Sequence, residues 1–280
     1  MYKIVEKRRL NDEVTLMRVE APYAARRAKP GQFVMLRVDE NGERIPLTIA
    51  GYDREAGTIT VIFQKVGAST RLLDQLNEGE SLQDFAGPVG KPSETEGYKK
   101  AAVIGGGLGV AIAYPQAKAL HDAGVEVDLI VGFRNESLII LKDELIAACD
   151  DLTIMTDDGS NGHKGFVTQA LQEKLEAGVK YDVVIAIGPL MMMKAVSEMT
   201  RPSGIKTIVS LNSIMIDGTG MCGGCRVIVG GETKFACVDG PDFDGHEVDF
   251  DSAVTRGRMY MDQEKLAKET HLCRLTGEVH

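Results

Sequence analysis

Four potential metal ligands fall close together near the end of the chain: Asp217, Cys222, Cys225 and Cys237, spaced D-x4-C-x2-C-x11-C. No other feature constrains the fold as much, because the loop that carries them must bend around whatever they hold. One class of [2Fe–2S] centre has the spacing C-x4-C-x2-C…C. Here that register is kept, with a carboxylate in the first position. Each iron takes two anionic protein ligands besides the bridging sulfides, and Asp supplies the charge of a thiolate through a harder oxygen. The glycines at 218, 220, 223 and 224 suit a backbone that turns tightly and aims N–H groups at sulfur. The same residues leave a structural zinc open, held by the three cysteines with Asp217 or a histidine such as His246. Against zinc, there is no second C-x-x-C and no histidine at finger spacing.

The 280 residues, 44% of them hydrophobic, suffice for two or three domains with their own cores. A formal net charge of −9 argues against a nucleic-acid partner, which would call for a basic face. No apolar run approaches a membrane span, and Met1-Tyr-Lys-Ile-Val-Glu-Lys-Arg-Arg lacks a signal-peptide core, so no membrane partner is expected. Five cysteines, three of them in the motif, are not a disulfide framework. Cys149 and Cys273 are expected to be ordinary thiols, and the compartment a reducing cytoplasm.

Texture divides the chain into four segments. Residues 1–97 carry strand-like runs at Val14–Val19, Gln32–Val38, Arg44–Ile49 and Thr58–Phe63, then a short helix at Ser69–Leu76. Their even spacing predicts a small antiparallel barrel. Residues 98–210 alternate strands (Ala101–Ile104, Val125–Val131, Leu152–Met155, Val183–Ile187, Thr207–Val209) with amphipathic segments, the pattern of a doubly wound parallel sheet. Residues 211–250 read as a glycine-rich, cysteine-bearing insert, the expected cluster-binding segment. Residues 251–280 read as a charged helical tail, in which Tyr260, Leu266, Leu272 and Leu275 form an apolar stripe for docking on a partner or on the chain's own domain.

In the α/β segment, Gly105-Gly106-Gly107-Leu108-Gly109 lies where a strand becomes a helix, a place where a pyrophosphate can approach backbone N–H groups. Alone, it is equally a plain tight turn. Two further loops, Thr156–Gly162 with Asp157 and Gly188-Pro189, fall at carboxyl ends of predicted strands, where open α/β sheets bind ligands. Together they predict a nucleotide site at Gly106, Gly107, Leu108, Gly109, Asp157, Gly188 and Pro189. Met191–Met193 reads as helix core, and Arg134 as a residue that could meet a 2′-phosphate.

With Arg44-Ile-Pro-Leu-Thr48, Gly67-Ala-Ser-Thr70 and the cluster segment Asp217–Asp249, the whole chain resembles the ferredoxin–NADP reductase-like superfamily. Within it the chain is similar to the electron-transfer subunits of dihydroorotate dehydrogenase. It is still more similar to the small (alpha) subunits of NADH-dependent ferredoxin:NADP⁺ oxidoreductases, the branch to which Asp217 points. The resemblance implies that residues 1–97 bind FAD. Pro46, Leu47 and Thr48 would meet the reactive ring, Ile62, Phe63 and Gln64 the ribityl or adenosine side, and Ser69 and Thr70 the pyrophosphate. The superfamily arginine would fall at Ile45, so Arg44 is displaced by one residue and faces away. The implied function is electron transfer between NAD(H), FAD and the [2Fe–2S] cluster, to or from a larger flavin and iron–sulfur subunit in a heterodimer. That partner would bifurcate electrons between NADPH and ferredoxin, so ferredoxin is reached indirectly. No side chain of this chain is expected to act as a catalytic acid or base. The alternatives are a subunit serving a dihydroorotate or other NAD-linked dehydrogenase, a self-sufficient reductase, and a zinc-bearing nucleotide-binding regulator.

Overall fold

The computed structural model describes residues 2–266. The first sheet has seven strands: β1 (Tyr2–Arg9), β2 (Val14–Glu20), β3 (Phe33–Arg37), β4 (Ile45–Asp53), β5 (Thr58–Gln64), β6 (Ser81–Leu82) and β7 (Asp84–Val89). All pairs are antiparallel, in the order β6-β1-β2-β5-β4-β3-β7. The two edge strands are consecutive in the chain and separated by Gln83 alone, so the sheet curls into a nearly closed barrel. Side chains alternate across it. Ile59, Val61 and Phe63 of β5 point inward with Ile4, Met17, Val34, Leu36 and Ile49. Helices α1 (Pro22–Arg27) and α2 (Ala68–Gln75) add Ala24, Ala25 and Leu73 to the same core.

The four expected strands of this unit are present. Strand β1 escaped the sequence pattern because five of its eight residues are charged and only Ile4 is buried. Its neighbour on the open side is the two-residue β6, so charge on it costs little and protects the edge.

The second sheet contains β8 (Lys100–Gly106), β9 (Glu126–Phe133), β10 (Asp151–Thr156), β11 (Val183–Ile187) and β12 (Lys206–Ser210). Its order, β10-β9-β8-β11-β12, is parallel and doubly wound, with a reversal between β9 and β11 at β8. Helices α3 (Gly109–Asp122), α4 (Lys142–Ile146), α5 (Val167–Glu176) and α6 (Leu190–Thr200) connect the strands. Covered on both faces, the central strands are mostly apolar, and Ala101–Ile104 has no exposed surface. The outward barrel residues Val14, Leu16, Ala50 and Ile62 share a core with Val110, Ala111 and Ala113 of α3. Helix α3 is thus one seam between the barrel and the parallel sheet, and Phe33 and Met35 of β3, packed into the core on the sheet's other face, form a second.

After β12 come the hairpin β13 (Arg226–Val229) and β14 (Glu232–Phe235), then β15 (Asp242–Asp244) and helix α7 (Phe250–Gly257). Gly230 and Gly231, at φ 60° and 77°, form the two-residue hairpin turn, a left-handed pair that glycine accepts without steric cost. Strand β15 pairs antiparallel with β12, so the cysteine-bearing segment adds an edge strand to the α/β sheet. Asp249 caps α7 by accepting the Ser252 N–H at 2.9 Å, and Phe250 is buried in the α/β core. Of the expected apolar stripe, Tyr260 and Leu266 are exposed. Leu272 and Leu275, like Cys273, lie outside the described residues. No helix among the described residues is long and apolar enough to cross a membrane.

Candidate iron–sulfur and nucleotide sites

The four proposed metal ligands divide into two pairs. Asp217 and Cys222 share an exposed loop, where the carboxylate accepts the Thr219 N–H at 2.8 Å and the Cys222 N–H at 3.1 Å. These backbone donors, Thr219 first, hold the carboxyl below its ordinary range, so Asp217 is an anion at neutral pH. Cys222 Sγ lies 3.4 Å from the Gly224 N–H. The second pair is buried: Cys225 and Cys237 flank the β13–β14 hairpin and are brought side by side by it, with the Cys237 N–H 3.4 Å from Cys225 Sγ. Burial, and then the neighbouring Cys225 thiol, push the Cys237 thiol up to about 12.

The loop geometry fits a cluster. Gly218, Gly220 and Gly223 hold φ between 68° and 81°, which lets the chain wrap inward and present N–H groups to sulfur. Among the described residues, no three His, Cys, Asp or Glu side chains gather around one point where a single metal ion would sit. A two-iron centre needs two protein ligands per iron, and the set divides in that way. The loop also touches the barrel. A Cβ built on Gly218 would lie 2.7 Å from Met35 Cγ, and Met35 on β3 pairs across the sheet with Pro46 on β4.

A cleft of about 810 Å³ runs between the barrel and the carboxyl edge of the parallel sheet. All seven nucleotide candidates, Gly106, Gly107, Leu108, Gly109, Asp157, Gly188 and Pro189, line it. The glycines allow close packing: a Cβ on Gly109 would sit 2.4 Å from the Ile187 carbonyl oxygen. The Asp157 N–H donates to the Phe133 oxygen at 3.0 Å, which fixes that loop on the neighbouring strand end. Arg134 also lines the cleft but stands 3.6 Å from Glu13 of the barrel, an ion pair that spans the two units.

Of the flavin candidates, Gln64 lines the cleft, with its amide donating to Glu13 at 2.6 Å. Pro46, Leu47 and Thr48 are half-buried on β4. Two expectations need correction. Phe63 has no exposed surface and fills the barrel core, and Ile62 packs toward α3, because consecutive strand residues face opposite sides. Only their backbones remain for a ligand. Helix α2 starts one residue before Ser69, and Thr70 Oγ1 is bonded to Gly67, accepting its N–H at 3.1 Å. Arg44 is tied to Asp84 at 3.3 Å.

The methionine run is also corrected. Met193 is fully buried as expected, whereas Met191 is exposed and lines the cleft with Met192. The sequence reading missed Glu13, Val66, Phe166 and Asn212, which also line it. A helical wheel over Leu190–Thr200 would have separated Met191 from Met193; the others carry no local signal.

A family model described as the iron–sulfur cluster binding domain of dihydroorotate dehydrogenase B matches residues 212–249. The chain is 44% identical to a Thermotoga maritima protein named as a homologue of the dihydroorotate dehydrogenase B (NAD(+)) electron transfer subunit, over 97% of this chain and 96% of the relative. It is 51% identical to an uncharacterized Clostridium beijerinckii protein from the adh 3′ region, over 96% and 93% of the two chains. Among solved structures it matches a chain of the NADH-dependent reduced ferredoxin-NADP oxidoreductase, determined for insight into flavin-based electron bifurcation. That match has 43% identity and a TM-score of 0.91, over 97% of this chain and 98% of the other. The chain belongs to the family of the dihydroorotate dehydrogenase B electron transfer subunits and their homologues.

Proposed function

We propose that this protein is the electron-transfer subunit of an NAD(P)H-linked flavin and iron–sulfur oxidoreductase, and that it works beside a larger subunit in flavin-based electron bifurcation. Residues 1–97 bind FAD, 98–210 bind NAD(H), 211–250 hold the [2Fe–2S] cluster, and 251–280 form the tail. A nicotinamide gives up two electrons at once and a cluster takes one, and a flavin between them handles both regimes. The chain's own part is placement. Gly106–Gly109, Asp157 and Gly188-Pro189 seat the dinucleotide. Pro46, Leu47, Thr48 and the start of α2 hold the flavin. Asp217 with Cys222 and Cys225 with Cys237 each hold one iron.

The observation that carries this reading is the contact of Gly218 with Met35, because it sets the cluster loop against the strand next to the flavin strand. The partner's docking face is the rim of that loop. Ile216, Met221 and Val238 are 55%, 88% and 39% exposed beside three of the four ligands, an apolar patch suited to a protein interface. The larger flavin and iron–sulfur subunit covers it and passes electrons on to ferredoxin, in the cytoplasm.

A second reading, service to a dihydroorotate dehydrogenase, is favoured by the names of the relatives. Anaerobic co-purification separates the two. The bifurcating assignment expects a larger flavin and iron–sulfur chain, with NADH bleaching both flavin and cluster absorption. A dihydroorotate-oxidising partner would replace it. Material with FAD but without iron and acid-labile sulfide would refute both.

A further inference from the structure

We infer that Arg256 is a positioning residue for the cluster: its guanidinium, near the end of α7, holds the backbone on both sides of Cys225. Arg256 Nη2 donates to the Gly224 oxygen at 3.0 Å and Arg256 Nε to the Arg226 oxygen at 3.1 Å. The Gly224 carbonyl belongs to the peptide that leads into Cys225 and the Arg226 carbonyl to the peptide just beyond it, so a single rigid fork spans the residue, while the Cys225 carbonyl between them accepts the Ala236 N–H at 3.1 Å. The same thiol receives the Cys237 N–H, which leaves its direction little freedom.

Helix α7 is itself firmly placed. The Asp249 N–H donates to the Ile228 oxygen at 2.9 Å, the Asp249 side chain caps the first turn, and Phe250 is buried. Two turns after the cap, Arg256 falls on the face that meets β13, where with Ala253 it closes a small crevice over Gly224 and Val227. Arg256 is half-buried, whereas the nearby Arg226 is exposed. Among the described residues no carboxylate stands within ion-pair distance of Arg256. A cation in that place favours the reduced, more negative state of the centre, and hydrogen bonds that orient a ligand slow its release.

The inference rests on the proposal that Cys225 is an iron ligand. The test uses the full chain in its anaerobic complex, with three readouts: iron and labile sulfide per chain, the rate of iron release to a strong chelator, and the cluster's midpoint potential. Arg256→Gln is expected to release iron about tenfold faster and to shift the potential downward. Arg256→Lys keeps the charge and loses the fork, so it is expected to release iron faster while holding the potential near that of the unaltered protein. Arg258→Gln removes an exposed charge two residues further along the chain and is expected to change neither. Should Arg256→Gln fail to fold, as judged by FAD content, Arg256→Lys decides alone. Wild-type release rate and potential in the Arg256 variants overturn the inference, as does an equal effect of Arg258→Gln. Absence of iron from the unaltered protein would instead remove the ligand assignment itself.

Discussion

Gly218 and Met35, 183 positions apart in the sequence, are packed so closely that a Cβ on Gly218 would stand 2.7 Å from Met35 Cγ and 3.4 Å from its sulfur. This contact joins the loop after Asp217 to the barrel, and the cross-strand pairing of Met35 with Pro46 extends it to the expected flavin strand. Two sites that lie far apart in the sequence thereby share a wall.

Gly218→Ala is expected to disturb that wall in two ways. The φ of 76° costs an L-residue about 1–2 kcal/mol, and the added carbon forces Met35 aside. Urea unfolding is expected to show a loss of stability of about that size or more, with cluster reduction by NADH slowed while iron content is retained. Adding Met35→Ala relieves the collision but not the backbone strain, so the double variant is expected to recover electron transfer before stability. Unchanged stability and reduction kinetics in Gly218→Ala would refute the close contact.

Asp157 lines the nucleotide cleft beside the glycine loop, where a carboxylate can accept from a ribose hydroxyl. Hydrogen bonds to a charged group contribute about 1.5–3 kcal/mol. Asp157→Ala is therefore expected to raise the KM for NADH by roughly tenfold or more, measured with an artificial acceptor. Flavin and iron contents are expected to stay at wild-type levels. A KM within error of wild type would remove Asp157 from the site.

The motifs legible in the sequence are those in which chemistry and spacing are local. The register from Asp217 to Cys237, and the glycines that let Gly109 lie against Ile187, leave their mark within a few residues. Alternation made the barrel strands visible, and it should also have shown that Ile62, Phe63 and Gln64 cannot all face one ligand. Other features depend on distant packing. The pairing of β15 with β12, the ion pair of Glu13 with Arg134 and the hold of Arg256 on Gly224 join segments whose own sequences give no sign of their partners.

Asp242 is half-buried, with its carboxyl set among Ser93, Ser210 and Gln116, and desolvation raises its carboxyl pKa above the ordinary 3.8. Its Oδ1 and the Oε1 of Gln116 are buried acceptors without a donor among the described residues, a deficit that one proton on Asp242 would relieve. A carboxyl with a raised folded pKa contributes stability fully below the unfolded value, and that contribution is lost as pH rises through the folded value. Asp242→Asn supplies a permanent donor of nearly the same shape. The difference in unfolding free energy between variant and wild type is thus expected to grow in the variant's favour as pH rises from 3.8 toward neutrality, and to level off beyond the folded pKa. A pH-independent difference would mean that folding leaves the Asp242 pKa at its unfolded value.

Asp217 bears most directly on the iron–sulfur proposal, because it alone supplies oxygen to a set of three sulfurs. Its carboxylate is kept anionic by the Thr219 and Cys222 N–H groups, so it is ready to bind metal without losing a proton. Asp217→Cys preserves the charge count and completes the all-sulfur pattern. It is expected to keep two irons per chain while shifting the g values and the midpoint potential of the reduced cluster, since a softer donor delocalises more charge onto iron. Asp217→Ala leaves one iron a ligand short, and its cluster is expected to be lost faster to chelator. If Asp217→Cys instead gives the same spectrum and potential as wild type, the carboxylate is not bound to iron. Its two backbone hydrogen bonds would then be its whole role, and the fourth ligand would have to come from another residue or from solvent.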